Sequence, residues 1–189
     1  MNKFSIQAEI WKNMPRNNEA EIKAADAFYD DEIFPLVAQK FLKENHDNKK
    51  YDLMFVTVGT SWQPVALSIM LHKPCCVVYL CTRDVLDKAQ QTINYIGNDT
   101  AYEICLVNKS DSKDMMLTIY DRFQKKSKKL ICCLDITGGT KAMAAAAAMM
   151  AAKLGIEVFY IESRYLPVFR HPEPGSEKVV HLLRPENVI

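Results

Sequence analysis

Two short segments of the sequence combine glycine, hydroxyl and charged residues in a way that suits anion binding. The first, Gly59 to Gln63, reads Gly-Thr-Ser-Trp-Gln, and the second, Thr137 to Lys141, reads Thr-Gly-Gly-Thr-Lys. Glycine lets the backbone approach a bound group closely, and threonine and serine hydroxyls can donate to phosphate oxygens. Lys141 adds a mobile positive charge. Together the two segments predict half of a phosphate-binding site.

Taken alone, either segment could be an ordinary strand-to-helix turn with a hydroxyl cap and a helix packed closely behind it. Familiar nucleotide-binding motifs are absent, since neither GxxxxGK[ST] nor a GxGxxG after the first strand occurs. A GxSxG nucleophile elbow is also absent, because Gln63 stands where its second glycine would be. These absences disfavour a P-loop NTPase, a dinucleotide-binding dehydrogenase and a serine hydrolase.

The elements that position the two segments alternate regularly from Asp52 onward. Apolar runs predict five strands, and the residues between them carry the apolar spacing of helices; the strands are 52–58, 75–81, 102–107, 130–136 and 156–162. Strands buried on both faces and separated by helices are typical of a parallel sheet covered on each side. We therefore predict an α/β fold, a Rossmann-like three-layer sandwich with a mainly parallel central sheet and an added N-terminal helical segment. A further strand over 178–183 is expected at an antiparallel edge.

The expected topology brings the two segments together. Right-handed crossovers and the common strand order 3-2-1-4-5 make the first and fourth strands neighbours. Ligands of such sheets bind beyond the carboxyl ends of the strands, where the order reverses. For domain organisation we predict an N-terminal helical extension over residues 1–50, packed on a Rossmann-like domain over residues 51–189, with a helix over 19–44 that breaks or restarts at Pro35.

Composition narrows the class of protein. The 189 residues carry a formal net charge of +1, which argues against the strongly basic face of a duplex-DNA-binding protein. The first residues lack the apolar core of a secretory signal, and the apolar run from Ala142 to Ala152 is shorter than the roughly 20 residues that span a bilayer. Six cysteines lie in or beside apolar runs without a CxxC pair, as expected of buried thiols in a reducing compartment. We expect a cytoplasmic protein without a metal ion or cofactor.

Three segments of the sequence resemble those of a known family. The turn Gly59-Thr60-Ser61, the strand end Leu80-Cys81-Thr82 and above all the segment from Asp135 to Met143, DITGGTKAM, are similar to the CRISPR-associated Rossmann-fold (CARF) sensor domains. The resemblance runs from about Asp52 to Leu183. It implies a twofold homodimer that binds a cyclic oligoadenylate, most often cyclic tetra-adenylate, across its interface in type III CRISPR antiviral defence.

The resemblance also implies roles for individual residues. Thr60, Ser61 and Gln63 would contact phosphate or ribose, and Thr82 would line the adenine side. Met143 would pack beneath the site, while Asn108 and Asp111 are weaker candidates for base or lid contacts. The complete set of expected ligand-binding residues is Gly59, Thr60, Ser61, Trp62, Gln63, Thr82, Asn108, Thr137, Gly138, Gly139, Thr140, Lys141 and Met143.

Several functions remain open at this stage. We expect a binding sensor, the regulatory part of a longer effector; the alternative is a stand-alone ring nuclease. Ring cleavage would proceed without metal by attack of a ribose 2'-hydroxyl, with Lys141 stabilising charge and Ser61 positioning the phosphate. A flavodoxin-like or dehydrogenase-like protein would instead hold a mononucleotide. A winged-helix regulator is disfavoured because no basic recognition helix follows Leu183, so we expect no direct binding of duplex DNA.

Overall fold

The fold is described by a computed structural model, which covers residues 3–97, 100–125 and 130–184. The chain divides into two compact units. The first comprises Met1–His46 and Glu162–Lys178, and the second comprises Asp47–Ile161 and Val179–Ile189. Residues 162–178, which the sequence analysis assigned to the Rossmann-like domain, therefore cluster with the N-terminal helices. That the N-terminal segment packs on the Rossmann-like domain stays a prediction.

Seven α-helices and eight strands are formed by the described residues. The helices are α1 (Lys3–Asn13), α2 (Glu19–Phe28), α3 (Phe34–Glu44), α4 (Gln63–His72), α5 (Leu86–Ile96), α6 (Ser112–Lys125) and α7 (Lys141–Leu154). The strands are β1 (Leu53–Thr57), β2 (Cys76–Cys81), β3 (Ala101–Leu106), β4 (Cys132–Asp135), β5 (Glu157–Glu162), β6 (Tyr165–Leu166), β7 (His171–Pro172) and β8 (Lys178–Leu183). None of the helices in these ranges is both long and apolar enough to cross a membrane.

The main sheet has the predicted topology. Its strand order is β3-β2-β1-β4-β5-β8. β1 pairs in parallel with both β2 and β4, so that Leu53 lies opposite Cys76 on one side and Cys132 on the other. The β2–β3 and β4–β5 pairs are parallel as well. The predicted order 3-2-1-4-5 is confirmed, and the strand expected over 178–183 lies at the edge beside β5.

Hydrophobic cores on the two faces of this sheet produce the three layers. All five residues of β1 are buried, and alternate side chains enter opposite cores. Leu53 and Phe55 join a core with residues of α6 and α7, whereas Met54 and Val56 join a core with residues of α4 and α5. The predicted α/β sandwich is confirmed.

The helical part of the first unit differs in detail from the sequence-based expectation. Helix α1 was not predicted, because its apolar residues form no clear stripe. The predicted helix over 19–44 is present, but a π-helical turn, Tyr29–Ile33, separates α2 from α3. Pro35 lies in the first turn of α3. Since proline clashes with the carbonyl four residues earlier, the wider turn ahead of it relieves that clash.

Aromatic packing holds the remaining segment of the first unit to its helices. The ring centroids of Trp11 and Phe169 are 5.1 Å apart, and those of Tyr29 and His171 are 4.0 Å apart. The Lys40 ammonium also donates to the Gly175 carbonyl at 2.6 Å. These contacts explain why residues 162–178 cluster with α1 to α3, although they are far from them in sequence.

Candidate functional site

The turns that follow β1 and β4 touch through their backbones. A methyl group on Gly138 would lie 2.3 Å from the Thr57 carbonyl oxygen and 2.5 Å from the Gly59 nitrogen. A methyl group on Gly59 would lie 2.8 Å from the Gly139 nitrogen. A side chain fits at neither position, so glycine is what permits the two turns to meet. The structure thus brings together the two segments that the sequence analysis selected.

Thr57, the last residue of β1, ties the two turns together. Its hydroxyl donates to the Gly138 carbonyl at 2.8 Å, with the Asp135 carbonyl as a second acceptor at 3.3 Å. The Thr57 side chain is buried. Sequence reasoning did not find this residue, because a threonine at the end of a buried strand carries no signal of what its hydroxyl reaches.

Helix α7 begins directly after the second turn, and Thr140 caps it. The Thr140 hydroxyl accepts from the Met143 amide at 3.2 Å, and the first backbone bond of the helix joins the Ala144 amide to the Thr140 carbonyl at 2.9 Å. The amides of Lys141 and Ala142 precede that bond, so the helix itself offers them no acceptor. An open helix start of this kind favours an anion.

Lys141 supplies the positive charge of this turn. Its side chain is exposed, and within the described ranges it forms no ion pair. Gly139 precedes it with a φ of 80°, a conformation that glycine adopts readily. Met143 is buried, and its Cε would lie 3.2 Å from a methyl group on Gly139. Met143 therefore lies directly beneath the turn and supports it; its role in a ligand site stays a prediction.

The first turn presents two hydroxyls and buries an aromatic ring. Thr60 and Ser61 are exposed, and their hydroxyls form no hydrogen bond with another described residue. Trp62 is 7% exposed and packs against Tyr95 of α5, with ring centroids 4.9 Å apart. Its ring is therefore part of the core beside the site. Gln63 is partly exposed and starts α4, which no side chain caps.

The remaining predicted residues lie at the carboxyl ends of β2 and β3. Thr82 follows β2 and is buried. Asn108 and Asp111 follow β3 and are exposed, but their side chains accept from nearby amides. Asn108 accepts from the Ser110 amide at 3.0 Å, and Asp111 accepts from the amides of Lys113 and Asp114 at the start of α6. Both residues shape a turn at this edge of the sheet.

Asp135 lies behind the second turn. It was not selected from the sequence as a candidate site residue. It ends β4, and its side chain is completely buried. Its Oδ1 accepts from the Thr137 amide at 2.7 Å and from the Thr137 hydroxyl, which in turn accepts from the Ile161 amide at 2.7 Å. The Thr137 hydroxyl therefore faces inward and positions the turn.

Burial dominates the electrostatics of Asp135. It raises the pKa of this carboxyl to about 6, while the nearby Ser68 hydroxyl and the hydrogen bonds from Thr137 lower the pKa in part. The Ser68 hydroxyl, on α4, is buried beside it. Neither the Ser68 hydroxyl nor Asp135 Oδ2 has a hydrogen bond of good geometry among the described residues. A buried carboxyl with one unpaired oxygen among the described residues thus lies directly behind the second turn.

A second cation near this edge was also missed by sequence reasoning. Arg83 follows Thr82 in a short 3-10 turn, Arg83–Val85, and it is exposed without an ion pair among the described residues. By contrast, the nearby Lys109 ammonium is bound by Asp84 at 3.0 Å. An isolated arginine after a strand is not distinctive in sequence, and only the sheet order places it at the same edge as Lys141.

The chemistry that this edge supports is anion binding. It offers glycine backbone, helix starts, hydroxyls and unpaired cations, and no group of three potential ligands in the described ranges could hold a metal ion. Asp135 is enclosed and cannot reach a ligand as a base. A pocket of about 550 Å³ lies elsewhere, in the first unit, where it is lined by residues 162–164, 173–176 and 178 and contains none of the predicted site residues.

Comparisons with known proteins bear on the fold. No protein-family model matches the sequence, and no curated protein matches it either. Solved structures similar to this chain include Can2 from Sulfobacillus thermosulfidooxidans in complex with cyclic tetra-adenylate (17% identity, 59% of this chain and 32% of that chain, TM-score 0.47). They also include Enterococcus italicus Csm6 bound to cyclic hexa-2'-fluoro-hexa-dAMP (15% identity, 64% and 35%, TM-score 0.49) and protein VC1899 from Vibrio cholerae (7% identity, 58% and 30%, TM-score 0.50).

The chain spans about a third of the length of each of these proteins. The likeness to VC1899 is one of fold, and it agrees with the α/β architecture described above. Two of the similar structures, those of Can2 and Csm6, were solved with a cyclic oligoadenylate bound.

Proposed function

We propose that this protein is a homodimeric sensor that binds a cyclic oligoadenylate, with cyclic tetra-adenylate as the first ligand to test. The observation that carries the proposal is the backbone contact between the Gly59 and Gly138 turns. This contact places the exposed hydroxyls of Thr60 and Ser61 at the same edge as Lys141 and the start of α7. The similarity of the segment DITGGTKAM to CARF domains supports the same ligand class and a role in type III CRISPR antiviral defence.

The number of positive charges supports a site shared by two copies. A cyclic tetra-adenylate carries four phosphodiesters, whereas one chain offers two unpaired cations, Lys141 and Arg83, beside the described turns. A symmetric ring on a twofold axis needs only half a site from each chain. The second copy would therefore supply the missing half.

The exposed face of α7 is suited to this second copy. Ala142, Ala145, Met149 and Ala152 are exposed and share one face of the helix, and Met149 is 64% exposed. This face begins next to Lys141, so two copies packed through it would bring two anion-binding turns together.

Met149→Glu should convert the dimer to a monomer in analytical ultracentrifugation, whereas Gln124→Glu on the exposed side of α6 should leave it dimeric.

Calorimetry against rings of three, four and six adenylates tests the binding function. We expect one ring bound per two chains, and a stoichiometry of one ring per chain would contradict the shared site. Failure to bind any of the rings would overturn the function.

Chromatography of the ring after incubation tests the alternative of a ring nuclease, which would produce linear products ending in a 2',3'-cyclic phosphate. We expect an intact ring, because no exposed general base accompanies Lys141 and Ser61 in the described turns.

A further inference from the structure

Asp135 combines complete burial, an unsatisfied oxygen and a position directly behind the anion-binding turn. Its side chain is 0% exposed. Oδ1 accepts two hydrogen bonds from Thr137, the first residue of the second segment, whereas Oδ2 has no partner among the described residues. A buried carboxylate with a free oxygen is costly.

No positive charge balances this carboxyl. The groups that face it are the Ser68 hydroxyl from α4 and the Thr137 hydroxyl, which links it to β5 through the Ile161 amide. Among the described residues, its titratable neighbour is the Cys133 thiol of β4, whose pKa is raised first by burial and then by the charge of Asp135. Within the described ranges, no lysine, arginine or histidine forms an ion pair with Asp135.

We propose that Asp135 is a positioning residue for the phosphate-binding turn and that it takes up a proton from solvent when a polyanion occupies that turn. This inference rests on the proposed function. Phosphodiesters remain ionised at neutral pH, so a bound ring adds negative charge on the outer side of the turn while Asp135 lies on the inner side. Like charges at short distance disfavour the ionised carboxyl. The carboxyl, not the ligand, is therefore the group that becomes neutral.

The hydrogen bonds around Asp135 allow this protonation without rearrangement of the turn. The proton would reside on Oδ2, the oxygen without a partner, and the buried Ser68 hydroxyl could accept a hydrogen bond from it. Oδ1 would continue to accept from the Thr137 amide and hydroxyl. The turn would keep its conformation, and only the charge behind it would change.

The expected pH dependence follows from the direction of proton uptake. The complex holds more protons than the free protein, so binding tightens as pH falls. Because burial raises the pKa of free Asp135 to about 6, the gain in affinity should level off below that pH, where the free protein is already protonated. For a rise of one pKa unit on binding, we expect roughly a fivefold gain between about pH 8 and pH 6, which approaches a limit of about tenfold at lower pH.

Calorimetry with cyclic tetra-adenylate, in buffers of different ionisation enthalpy over this pH range, measures both the affinity and the protons taken up. We expect net proton uptake in the wild-type protein and none in Asp135→Asn, in which the amide keeps an acceptor for Thr137 but does not titrate. The affinity of this variant for the ring should therefore not change with pH over this range. Asp121→Asn, which removes an exposed carboxylate of α6, is the matched control and should behave as the wild type.

The outcomes separate this inference from the function on which it rests. Ring binding with a flat pH profile and no proton uptake overturns the inference alone, whereas no ring binding at any pH overturns the proposed function and the inference together. If Asp135→Asn does not fold, the wild-type proton count still decides. A ligand-free check is the ¹⁵N shift of the Thr137 amide, which should titrate with a midpoint near that of Asp135; absence of such a step counts against the inference.

Discussion

The two edges of the central sheet differ in how far their polar side chains are paired with one another. At the amino-terminal edge, Glu157 accepts from the Lys49 ammonium at 2.7 Å and from the Tyr51 hydroxyl at 2.9 Å. In the same network, His72 Nδ1 lies 2.7 Å from an Asp47 carboxylate oxygen. Most polar atoms of these side chains are paired with one another, although His72 Nε2 is buried without a hydrogen bond among the described residues. This edge therefore mainly stabilises the fold.

At the carboxyl-terminal edge, several polar groups have no partner among the described residues. Thr60, Ser61 and Lys141 are exposed without partners in the described part of the chain, and Asp135 is buried without a counter-ion. Only the buried Asp135 carboxyl lowers stability, because water satisfies the exposed hydroxyls and the Lys141 ammonium. The two edges therefore differ in that the carboxyl-terminal one leaves hydroxyls and a cation available to a ligand.

Gly138→Ala should have the largest effect on stability and binding, because it disrupts the backbone contact between the Gly59 and Gly138 turns at the carboxyl-terminal edge. The added methyl group would meet backbone atoms of Thr57 and Gly59 at 2.3 and 2.5 Å, and neither can move without separating the turns. We expect a loss of about 3 kcal/mol in the free energy of unfolding, the upper part of the usual range for overpacking. Ring binding should be lost as well. Urea denaturation and calorimetry measure the two effects.

Gly155→Ala is the matched control for this variant. Gly155 ends α7 with a φ of 69°, and a methyl group there would meet nothing within 4 Å. The cost should be about 1 kcal/mol, the strain of a left-handed alanine, with ring affinity unchanged. Equal stability of the two variants would show that the turns do not touch.

Glu157→Gln should have the next largest effect, on stability alone. The substitution leaves Lys49 without its carboxylate, and we expect a loss of about 2 to 3 kcal/mol, below the range for fully buried pairs because Lys49 is partly exposed. Burial would raise the pKa of Glu157, but the Lys49 and Tyr51 hydrogen bonds outweigh it and lower the pKa. The difference from wild type should therefore be constant at neutral pH and shrink below about pH 4.

Calorimetry completes the test of this variant. Ring affinity of Glu157→Gln should equal that of the wild type at a temperature where both are folded. A weaker affinity would contradict the separation of the two edges, and a loss of stability under about 1 kcal/mol would mean that the network contributes no more than a surface ion pair.

Lys141→Ala should reverse this pattern, weakening binding without loss of stability. Removal of a charge-assisted hydrogen bond costs about 1 to 3 kcal/mol of binding free energy, whereas an exposed substitution changes stability by less than about 0.5 kcal/mol. Lys153→Ala, at the exposed other end of the same helix, gives the same change in net charge and should bind as the wild type. Equal affinity in both variants would remove Lys141 from the site.

The fold was largely predictable from sequence because its information is local. Apolar runs and helical spacing between 52 and 162 specify strands and helices, and the handedness of crossovers then fixes their order. The clustering of residues 162–178 with the N-terminal helices depends on contacts of Trp11 and Tyr29 with distant rings, which no local sequence pattern reveals. The π-helical turn before Pro35 was missed for a similar reason, since proline predicts a disruption but not the form that it takes.

Residue types in the sequence predicted where the candidate site lies, but not how its side chains are oriented. Glycine, hydroxyl and lysine residues in two turns identified the edge, but not which side chains point outward. Thr137 and Trp62 match the expected pattern in sequence, yet the Thr137 hydroxyl faces inward and the Trp62 ring is buried. Asp135 acquires its properties from burial, which depends on tertiary structure and not on its neighbours in sequence.

Arg83→Ala should have the smallest effect and sharpens the comparison within one edge. Arg83 and Lys109 both lie beyond the carboxyl ends of their strands, but the Lys109 ammonium is paired with Asp84, whereas Arg83 forms no ion pair in the described ranges. We expect Arg83→Ala to weaken ring binding about two- to fivefold at low salt, the effect of one exposed charge, and less at high salt because of screening. Lys109→Ala removes the same charge and should weaken it less. If net charge alone attracts the ring, the two variants will lose affinity equally; a larger loss for Arg83→Ala shows that the ligand selects the cation that the fold left without a partner.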